Sequence, residues 1–237
     1  HIFGTTIDLS ELVEICSDRG IKVIEDASES LGSFIGAERI HSGAMGDLGC
    51  ISFNGNKIIT CGGGGMILTN SENYFRQAKY LSTQAKDDPF SFLHNEIGYN
   101  FRLTNIQAAL GLAQFEKFED IKLKKENIHH FYKKILENNQ DINLISPNKN
   151  VESNYWLNVI RFKSADLQKQ AIKKFLLEGI EVRPIWHANH LQKPYKESYT
   201  YKVENALRQI DTSLCLPSSA GIKNDELERV ERVIKLL

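Results

Sequence analysis

The chain has 237 residues, a length that predicts one large domain or two unequal ones. Hydrophobic residues make up 41% of the chain and charged residues 25%, which are ordinary globular values and argue against disorder. Lys and Arg total 29 against 30 Asp and Glu, so the net charge of −1 excludes a strong electrostatic footprint for nucleic acid or an anionic membrane. An anionic ligand must therefore be bound by a local site.

The four cysteines show neither C-x-x-C spacing nor pairing with nearby histidines. This pattern predicts reduced thiols and a cytoplasmic protein. No apolar run approaches the roughly 18 residues that a membrane span needs, and no signal peptide is recognisable, so we expect no membrane association. The chain opens at His1 without an initiator methionine, and we expect it to be the C-terminal majority of a longer protein.

The first predicted elements are those of an α/β domain. Apolar residues at helical spacing predict a helix from Leu9 that ends at Gly20, with a side-chain cap near Asp8. Apolar residues 21–24 predict a buried strand, and further strands are predicted at residues 50–53 and 66–69. The four glycines before the last of these strands permit positive φ and close packing.

The second half of the chain has a different pattern. Residues 104–136 are predicted to be helical almost throughout, and residues 146–150 form a turn-rich break. Beyond the break, the pattern predicts a separate small α+β unit. Its predicted elements are a strand at 155–162, a helix at 165–178, strands at 180–183 and 213–216, and a terminal helix at 225–237.

Two charged residues at predicted strand ends are candidates for chemistry. Lys57 lies between a buried strand and the glycine run, and a desolvated lysine is a nucleophile for carbonyl groups. From this segment alone, a solvated loop lysine remains an open alternative. Asp26 follows the first strand, where a carboxylate reaches the ligand crevice of a parallel sheet, but it could equally cap a turn.

Four blocks of sequence, taken together, favour the chemical roles of Lys57 and Asp26 over these alternatives. They resemble the DegT/DnrJ/EryC1/StrS family of sugar-nucleotide aminotransferases, which are fold-type-I pyridoxal-phosphate enzymes. The blocks are residues 23–32, 50–65, 98–109 and 186–192. The resemblance implies an α/β fold in three parts. These parts are the remainder of a large cofactor-binding domain at 1–115, a connecting long helix at 116–145, and a small C-terminal α+β domain at 146–237.

The resemblance also implies roles for individual residues. Lys57 stands where the family's catalytic lysine carries pyridoxal 5'-phosphate, and Asp26 stands where a buried carboxylate pairs with the pyridine nitrogen. A carboxylate there keeps the ring protonated, which makes it an electron sink. Ser52 matches the family's phosphate ligand, and Asn100 matches the asparagine that reaches the cofactor phosphate from the partner subunit. Glu29 falls beside the ring hydroxyl, where the family more often has glutamine or histidine.

The residues matched to substrate positions are identified less specifically than those matched to the cofactor. Arg102, His187 and His190 match positions that the family uses for substrate, but Arg102 could also be a structural ion-pair residue. The two histidines could pass for half a metal site, yet no third ligand cluster accompanies them, so we expect no metal. His129 and His130 are expected on a helix surface.

The resemblance implies transfer of an amino group from L-glutamate to a nucleotide-linked 4-keto-6-deoxy-N-acetylhexosamine, in surface-polysaccharide or nonulosonic-acid biosynthesis. Residues 82–89 and 94–100 look most like the branch that makes 4-amino-4,6-dideoxy-N-acetylhexosamines on UDP or GDP. The implied assembly is a homodimer with shared active sites. The family's phosphate-binding loop and its ring-stacking aromatic residue would lie upstream of His1. The alternative is therefore a truncated, non-catalytic relative that dimerises or binds a sugar nucleotide.

Overall fold

The computed structural model describes residues 1–88 and 90–237, which divide into two compact units. Unit 1 comprises His1–Leu123 and Pro147–Trp156, and unit 2 comprises Lys124–Ser146 and Leu157–Leu237. Across the described ranges, no helix has both the length and the apolarity that crossing a membrane would require.

Unit 1 combines two small sheets with helices. Its helices are α1 (Ser10–Asp18), α2 (Glu72–Ser82) and α3 (Asn105–Phe115), and the unit boundary falls within α4 (Phe118–Leu136). Its strands are β1 (Ile24–Asp26), β2 (Phe34–Ile35), β3 (Ile40–His41), β4 (Leu48–Ser52), β5 (Gly65–Leu68) and β7 (Val151–Glu152). The predicted α/β class is confirmed.

The first sheet has the order β1-β4-β5 and is mixed. Strands β1 and β4 run parallel, with Asp26 opposite Cys50, whereas β4 and β5 run antiparallel, with Ser52 opposite Gly65. Because the carboxyl ends of parallel strands meet at one edge, Asp26 and Ser52 lie at the same edge of this sheet. That edge is where a ligand crevice forms in open α/β sheets.

The glycine run between β4 and β5 is required by close packing. Gly62 and Gly64 have φ values of +79° and +86°, which side-chain-bearing residues rarely adopt. A β-carbon at Gly64 would overlap the side chain of Leu103, and one at Gly65 would overlap the carbonyl oxygen of Ile51. The predicted tight packing at this run is confirmed.

The second sheet of unit 1 has the order β3-β2-β7. Phe34 of β2 pairs with His41 on one side and with Glu152 on the other. This pairing groups residues 147–156 with unit 1, whereas the sequence analysis assigned 146–237 to one small domain. Strand β7 has only two residues and pairs with β2, which lies far away in the sequence. So short a strand leaves no periodic signal that would predict this pairing. The predicted domain boundaries stay a prediction.

Unit 2 is built on a four-stranded antiparallel sheet of order β6-β8-β10-β9. Its strands are β6 (Ile142–Leu144), β8 (Asn158–Phe162), β9 (Arg183–Pro184) and β10 (Ser213–Leu216), and its further helices are α5 (Ala165–Leu177), α6 (Glu204–Thr212) and α7 (Asn224–Lys235). Its hydrophobic core includes the fully buried side chains of Tyr132, Ile160, Phe175 and Leu214.

Several predicted elements shift or divide in the structure. The helix predicted at 104–136 is two helices, because the chain tightens where the N–H of Lys117 bonds the carbonyl of Gln114. Thr104 caps α3 through a reciprocal bond pair with Gln107. The first strand begins at Ile24 and not at residue 21, because the carboxylate of Asp47 accepts the N–H of Val23 at 2.9 Å.

Other boundaries follow side-chain bonds that the pattern did not show. No side chain caps α1, because Asp8 accepts both the N–H and the hydroxyl of Ser10 instead. Helix α2 was not predicted and begins after Ser71, whose hydroxyl accepts the N–H of Tyr74. The strand predicted at 155–162 begins at Asn158, since residues 153–156 form an irregular segment.

Candidate functional site

Lys57 projects from the connection that follows β4, in unit 1. Its backbone N–H closes a turn on the carbonyl of Asn54 at 3.1 Å. Its Nζ atom lies 3.7 Å from Oε1 of Glu29 and 4.5 Å from the centre of the Trp156 ring. The side chain of Lys57 is only 12% exposed and that of Glu29 only 13%. The side chain of Lys57 is therefore largely withdrawn from water, which removes the solvated-loop alternative.

Trp156 and Asn154 tie together the segments that carry Lys57 and Glu29. The indole N–H of Trp156 donates to the carbonyl of Asn56 at 2.7 Å. The amide of Asn154 donates to the carbonyls of Glu29 and Leu31, both at 2.9 Å, and its Oδ1 accepts the N–H of Trp156 at 2.8 Å. The sequence analysis missed both residues, since their contacts reach 100 or more positions along the chain.

Glu29 is a carboxyl group with an unusual environment. Burial raises its pKa, while the backbone N–H of Phe3 and the charge of Lys57 act in the opposite direction. The bond from Phe3 to Oε2 is 2.8 Å long. Glu29 therefore takes up a proton at a higher pH than an ordinary glutamate does.

Asp26 ends β1 and remains ionised. Hydrogen bonds from Ser28 lower the pKa of Asp26, against the opposing effect of partial burial, and the charge of Lys57 lowers it further. The N–H of Ser28 donates to Oδ1 at 3.1 Å. The residue is exposed, whereas the sequence analysis expected a buried aspartate. Asp26, Glu29 and Lys57 thus form one electrostatically coupled group.

Three further candidates also belong to unit 1. Ser52 ends β4, and its hydroxyl accepts the N–H of Asn54 at 3.2 Å. Asn100 is exposed and forms an isolated antiparallel bridge with Thr83. Arg102 is exposed, and within residues 1–88 and 90–237 no carboxylate lies within ion-pair distance of it. The structure gives no support to the ion-pair alternative for Arg102, and its substrate role stays a prediction.

The histidines belong to unit 2. His187 is exposed, and His190 is half-buried in a short 3-10 helix, Asn189–Leu191. The surface placement of His129 is wrong, because its side chain lies in the interior and its Nδ1 is 2.8 Å from Oδ1 of Asn158. His130 is exposed as expected. The described part of the chain contains no group of three or more potential metal ligands.

Glu25 is a third residue that the sequence analysis missed. It is buried beside Asp26 in β1, and its carboxylate accepts backbone N–H bonds from Gly43, Met45 and Gly46 at 2.6–2.8 Å. A buried carboxylate is stable only with such partners. Glu25 therefore fixes the loop before β4, while its neighbour Asp26 is free to face the site. The sequence signal that could have pointed to Glu25 was the acidic pair Glu25-Asp26 at the end of the predicted strand.

Comparison with known proteins identifies relatives of this chain. EpsN of Bacillus subtilis (strain 168), whose name describes a pyridoxal phosphate-dependent aminotransferase, is 33% identical over an alignment of 238 positions that covers 99% of this chain and 61% of EpsN. GDP-perosamine synthase of Escherichia coli O157:H7 is 34% identical over 199 residues, which are 84% of this chain and 54% of that enzyme. The chain thus spans between about half and two thirds of the length of these relatives.

Solved structures share the fold. Helicobacter pylori PseC, an aminotransferase involved in the biosynthesis of pseudoaminic acid, superposes with a TM-score of 0.90 at 23% identity, covering 99% of this chain and 64% of PseC. The sequence model of the DegT/DnrJ/EryC1/StrS aminotransferase family matches residues 1–235, nearly the whole chain. This match extends from unit 1 through unit 2, and the chain belongs to the DegT/DnrJ/EryC1/StrS aminotransferase family.

Proposed function

We propose that the protein transfers an amino group from L-glutamate to the keto carbon of a nucleotide-linked 4-keto-6-deoxy-N-acetylhexosamine, with pyridoxal 5'-phosphate as cofactor. The observation that carries this proposal is the nearly buried amine of Lys57, 3.7 Å from the Glu29 carboxylate and electrostatically coupled to Asp26. Family membership supports the reaction class and the cofactor. The pathway we propose is surface-polysaccharide or nonulosonic-acid biosynthesis.

The residues present fit the cofactor in their chemistry. The Lys57 amine suits the aldehyde, the ionised Asp26 suits the protonated pyridine nitrogen, and the hydroxyl of Ser52 suits a phosphate oxygen. Asp26 and Ser52 end neighbouring parallel strands, so both groups belong to one sheet edge. When bound, pyridoxal phosphate supplies an electron sink for the carbon that gains or loses the amino group.

Lys57, Asp26 and Glu29 each have a defined role in this proposal. Lys57 would hold the cofactor and move a proton to and from the reacting carbon, because an amine can serve both as the point of attachment and as the proton-transferring group. Asp26 is ionised and stabilises a positive charge opposite it. Glu29 balances the charge of Lys57, and its raised pKa would let it hold a proton when the cofactor is bound.

The substrate assignment rests on sequence resemblance. Residues 82–89 and 94–100 look like the branch that acts on N-acetylated 4-keto-6-deoxy sugars, although Pro89 lies outside the described residues. We assign Arg102, His187 and His190 to substrate contacts. The proposal leaves the nucleotide open between UDP and GDP, and GDP-perosamine synthase among the relatives keeps a GDP-linked sugar as one variant.

The proposed assembly is a homodimer in which Asn100 of each chain reaches the cofactor phosphate of the other. The exposed position of Asn100 is compatible with such a contact. We also propose a cytoplasmic location, which is supported by the unbridged thiols of Cys16, Cys50 and Cys61.

Two measurements test the function. Purified protein mixed with pyridoxal phosphate should show a visible absorbance band that borohydride reduction removes, and peptide mass spectrometry should find the reduced adduct on Lys57. A panel of UDP- and GDP-linked 4-keto sugars, with and without the acetamido group, should then give 2-oxoglutarate from glutamate. A protein that binds a sugar nucleotide but never develops the band would be the non-catalytic relative. A preference for a 3-keto sugar, or for sugars without the acetamido group, would contradict the substrate assignment only.

A further inference from the structure

Trp156 contacts the Lys57 segment at two points. Its indole N–H donates to the carbonyl of Asn56 at 2.7 Å, and the centre of its ring lies 4.5 Å from Nζ of Lys57. The side chain is well inside unit 1, because Trp156 is only 3% exposed. One residue thus holds both the backbone just before Lys57 and the tip of the Lys57 side chain.

The ring contact is of a kind that orients an amine. The negative face of an indole attracts an ammonium group within about 6 Å of the ring centre, and the attraction strengthens when water is excluded. Lysine has a flexible four-carbon stem, so its tip needs contacts to define its direction. Nζ of Lys57 has two such contacts, the Trp156 ring and the Glu29 carboxylate at 3.7 Å.

Trp156 is itself held by its neighbours. Asn154 is fully buried and links the Trp156 backbone to the carbonyl of Glu29. Tyr155 has a φ of +50°, a conformation that costs energy in a non-glycine residue and persists only where the surroundings impose it. Ser153 contributes by accepting the N–H of Tyr155 at 3.0 Å and donating to the carbonyl of Gly4 at 2.8 Å.

We propose that Trp156 is a positioning residue for Lys57, with its indole N–H fixing the backbone at Asn56 and its ring face holding Nζ beside Glu29. The inference rests on the proposed function, in which Lys57 carries the cofactor. In this proposal Trp156 acts through Lys57. Residues 153–156 therefore form a clamp that joins the Lys57 and Glu29 segments.

The test uses a reaction that needs no cofactor. Cofactor-free protein is treated with limiting acetic anhydride at one fixed pH, and acetylation of Lys57 is quantified by peptide mass spectrometry. Lys122 is the internal reference, because it lies in the same unit, its side chain is 11% exposed, and it too contacts an aromatic ring. A general loosening of unit 1 would raise acetylation of both lysines, whereas loss of positioning raises that of Lys57 alone.

Three variants define the outcome. Trp156→Leu should raise the ratio of Lys57 to Lys122 acetylation about tenfold, the change expected when a desolvated ammonium loses its ring contact. Trp156→Phe keeps a ring face without the N–H bond and should give an intermediate ratio. The control Phe175→Leu removes a buried aromatic side chain from the core of unit 2 and should leave the ratio within about twofold of wild type.

Two results would overturn the inference. One is an unchanged Lys57 to Lys122 ratio in both Trp156 variants, and the other is an equal rise for both lysines. The same variants are then loaded with pyridoxal phosphate and reduced with borohydride, and Trp156→Leu should carry less adduct on Lys57 than Trp156→Phe does. If even the wild-type protein takes up no cofactor, the proposed function fails, while the acetylation ratio still decides whether Trp156 positions Lys57.

Discussion

Nζ of Lys57 lies 3.7 Å from Oε1 of Glu29, and both side chains are almost withdrawn from water. Such a pair gains from mutual attraction but bears the cost of desolvating two charged groups. The raised pKa of Glu29 shows that burial outweighs the attraction at this carboxyl group. The site therefore keeps an amine next to a group that readily takes up a proton, an arrangement that suits the proton movements of the proposed reaction.

We predict that Lys57→Ala abolishes amino transfer without unfolding the protein. The side chain supplies the covalent attachment and the mobile proton, and loss of a proton-transferring group alone typically lowers the rate by roughly 10²–10⁴-fold. The measurement is 2-oxoglutarate formation from glutamate, together with the thermal unfolding midpoint. Lys163→Ala is the control, because Lys163 is an exposed residue that pairs with Asp141 in unit 2. Turnover by Lys57→Ala within a few fold of wild type, without added amine, would contradict the assignment.

We predict that Glu29→Gln makes the protein more stable than wild type near neutral pH. Because the folded-state pKa of Glu29 is raised, the folded protein holds a proton that the unfolded chain has already released. The free energy of unfolding of wild type therefore falls as pH rises from the ordinary glutamate pKa through the raised value. The Glu29→Gln variant has no such fall in the free energy of unfolding. It should therefore become more stable than wild type as pH rises through this range, and the difference should vanish in more acidic solution.

Urea unfolding measured between about pH 4 and about pH 8 tests this prediction. The control is Glu11→Gln, at an exposed position of α1, which should follow the wild-type curve. A Glu29→Gln variant that is less stable than wild type across the whole range would show that the ion pair with Lys57 outweighs the cost of burial.

Sequence patterns predicted the elements that have their own periodicity or motif. The terminal helix, α5 and β10 lie where the apolar spacing put them, and Lys57 was singled out by its place between a strand and the glycine run. The patterns could not predict contacts made across the chain. Trp156 reaches Asn56 over 100 positions, and no local signal in either segment reports that bond.

Burial was the other quantity that the sequence did not define. Asp26 was expected to be buried and is exposed, and His129 was expected on a surface and is buried. His129 lies on α4, and its imidazole meets Asn158 of β8, a strand that is adjacent only in the folded unit. The side of a helix that a polar residue occupies depends on such partners, which helical spacing alone does not contain.

We predict that Lys125→Met raises the free energy of unfolding at neutral pH by about 1–3 kcal/mol. Lys125 is buried in unit 2, where its ammonium donates to the carbonyl of Ser218, and burial lowers its pKa to about 8. Charging this amine in the folded state is costly, so wild type gains stability as pH rises from 8 towards the ordinary lysine pKa.

The advantage of Lys125→Met should therefore be largest below pH 8 and shrink above it. Guanidinium unfolding curves at several pH values measure the difference directly. Lys124→Met changes an exposed neighbour on the same helix and should shift the free energy of unfolding by less than about 0.5 kcal/mol. A Lys125→Met variant that is no more stable than its control would show that the bond to Ser218 compensates the burial of the charge.

The proposed shared active sites predict complementation between two inactive variants. A Lys57→Ala chain lacks the attachment for the cofactor, and an Asn100→Asp chain places a carboxylate where it repels the phosphate. If Asn100 serves the partner's site, both defects of a mixed dimer fall in one site and the other site is intact. Random pairing makes about half the dimers mixed, so amino transfer should recover to about a quarter of the wild-type rate. Each variant assayed alone and refolded in the same way is the control. If Asn100 instead serves its own subunit, every site carries one defect, and mixing the two variants restores no activity.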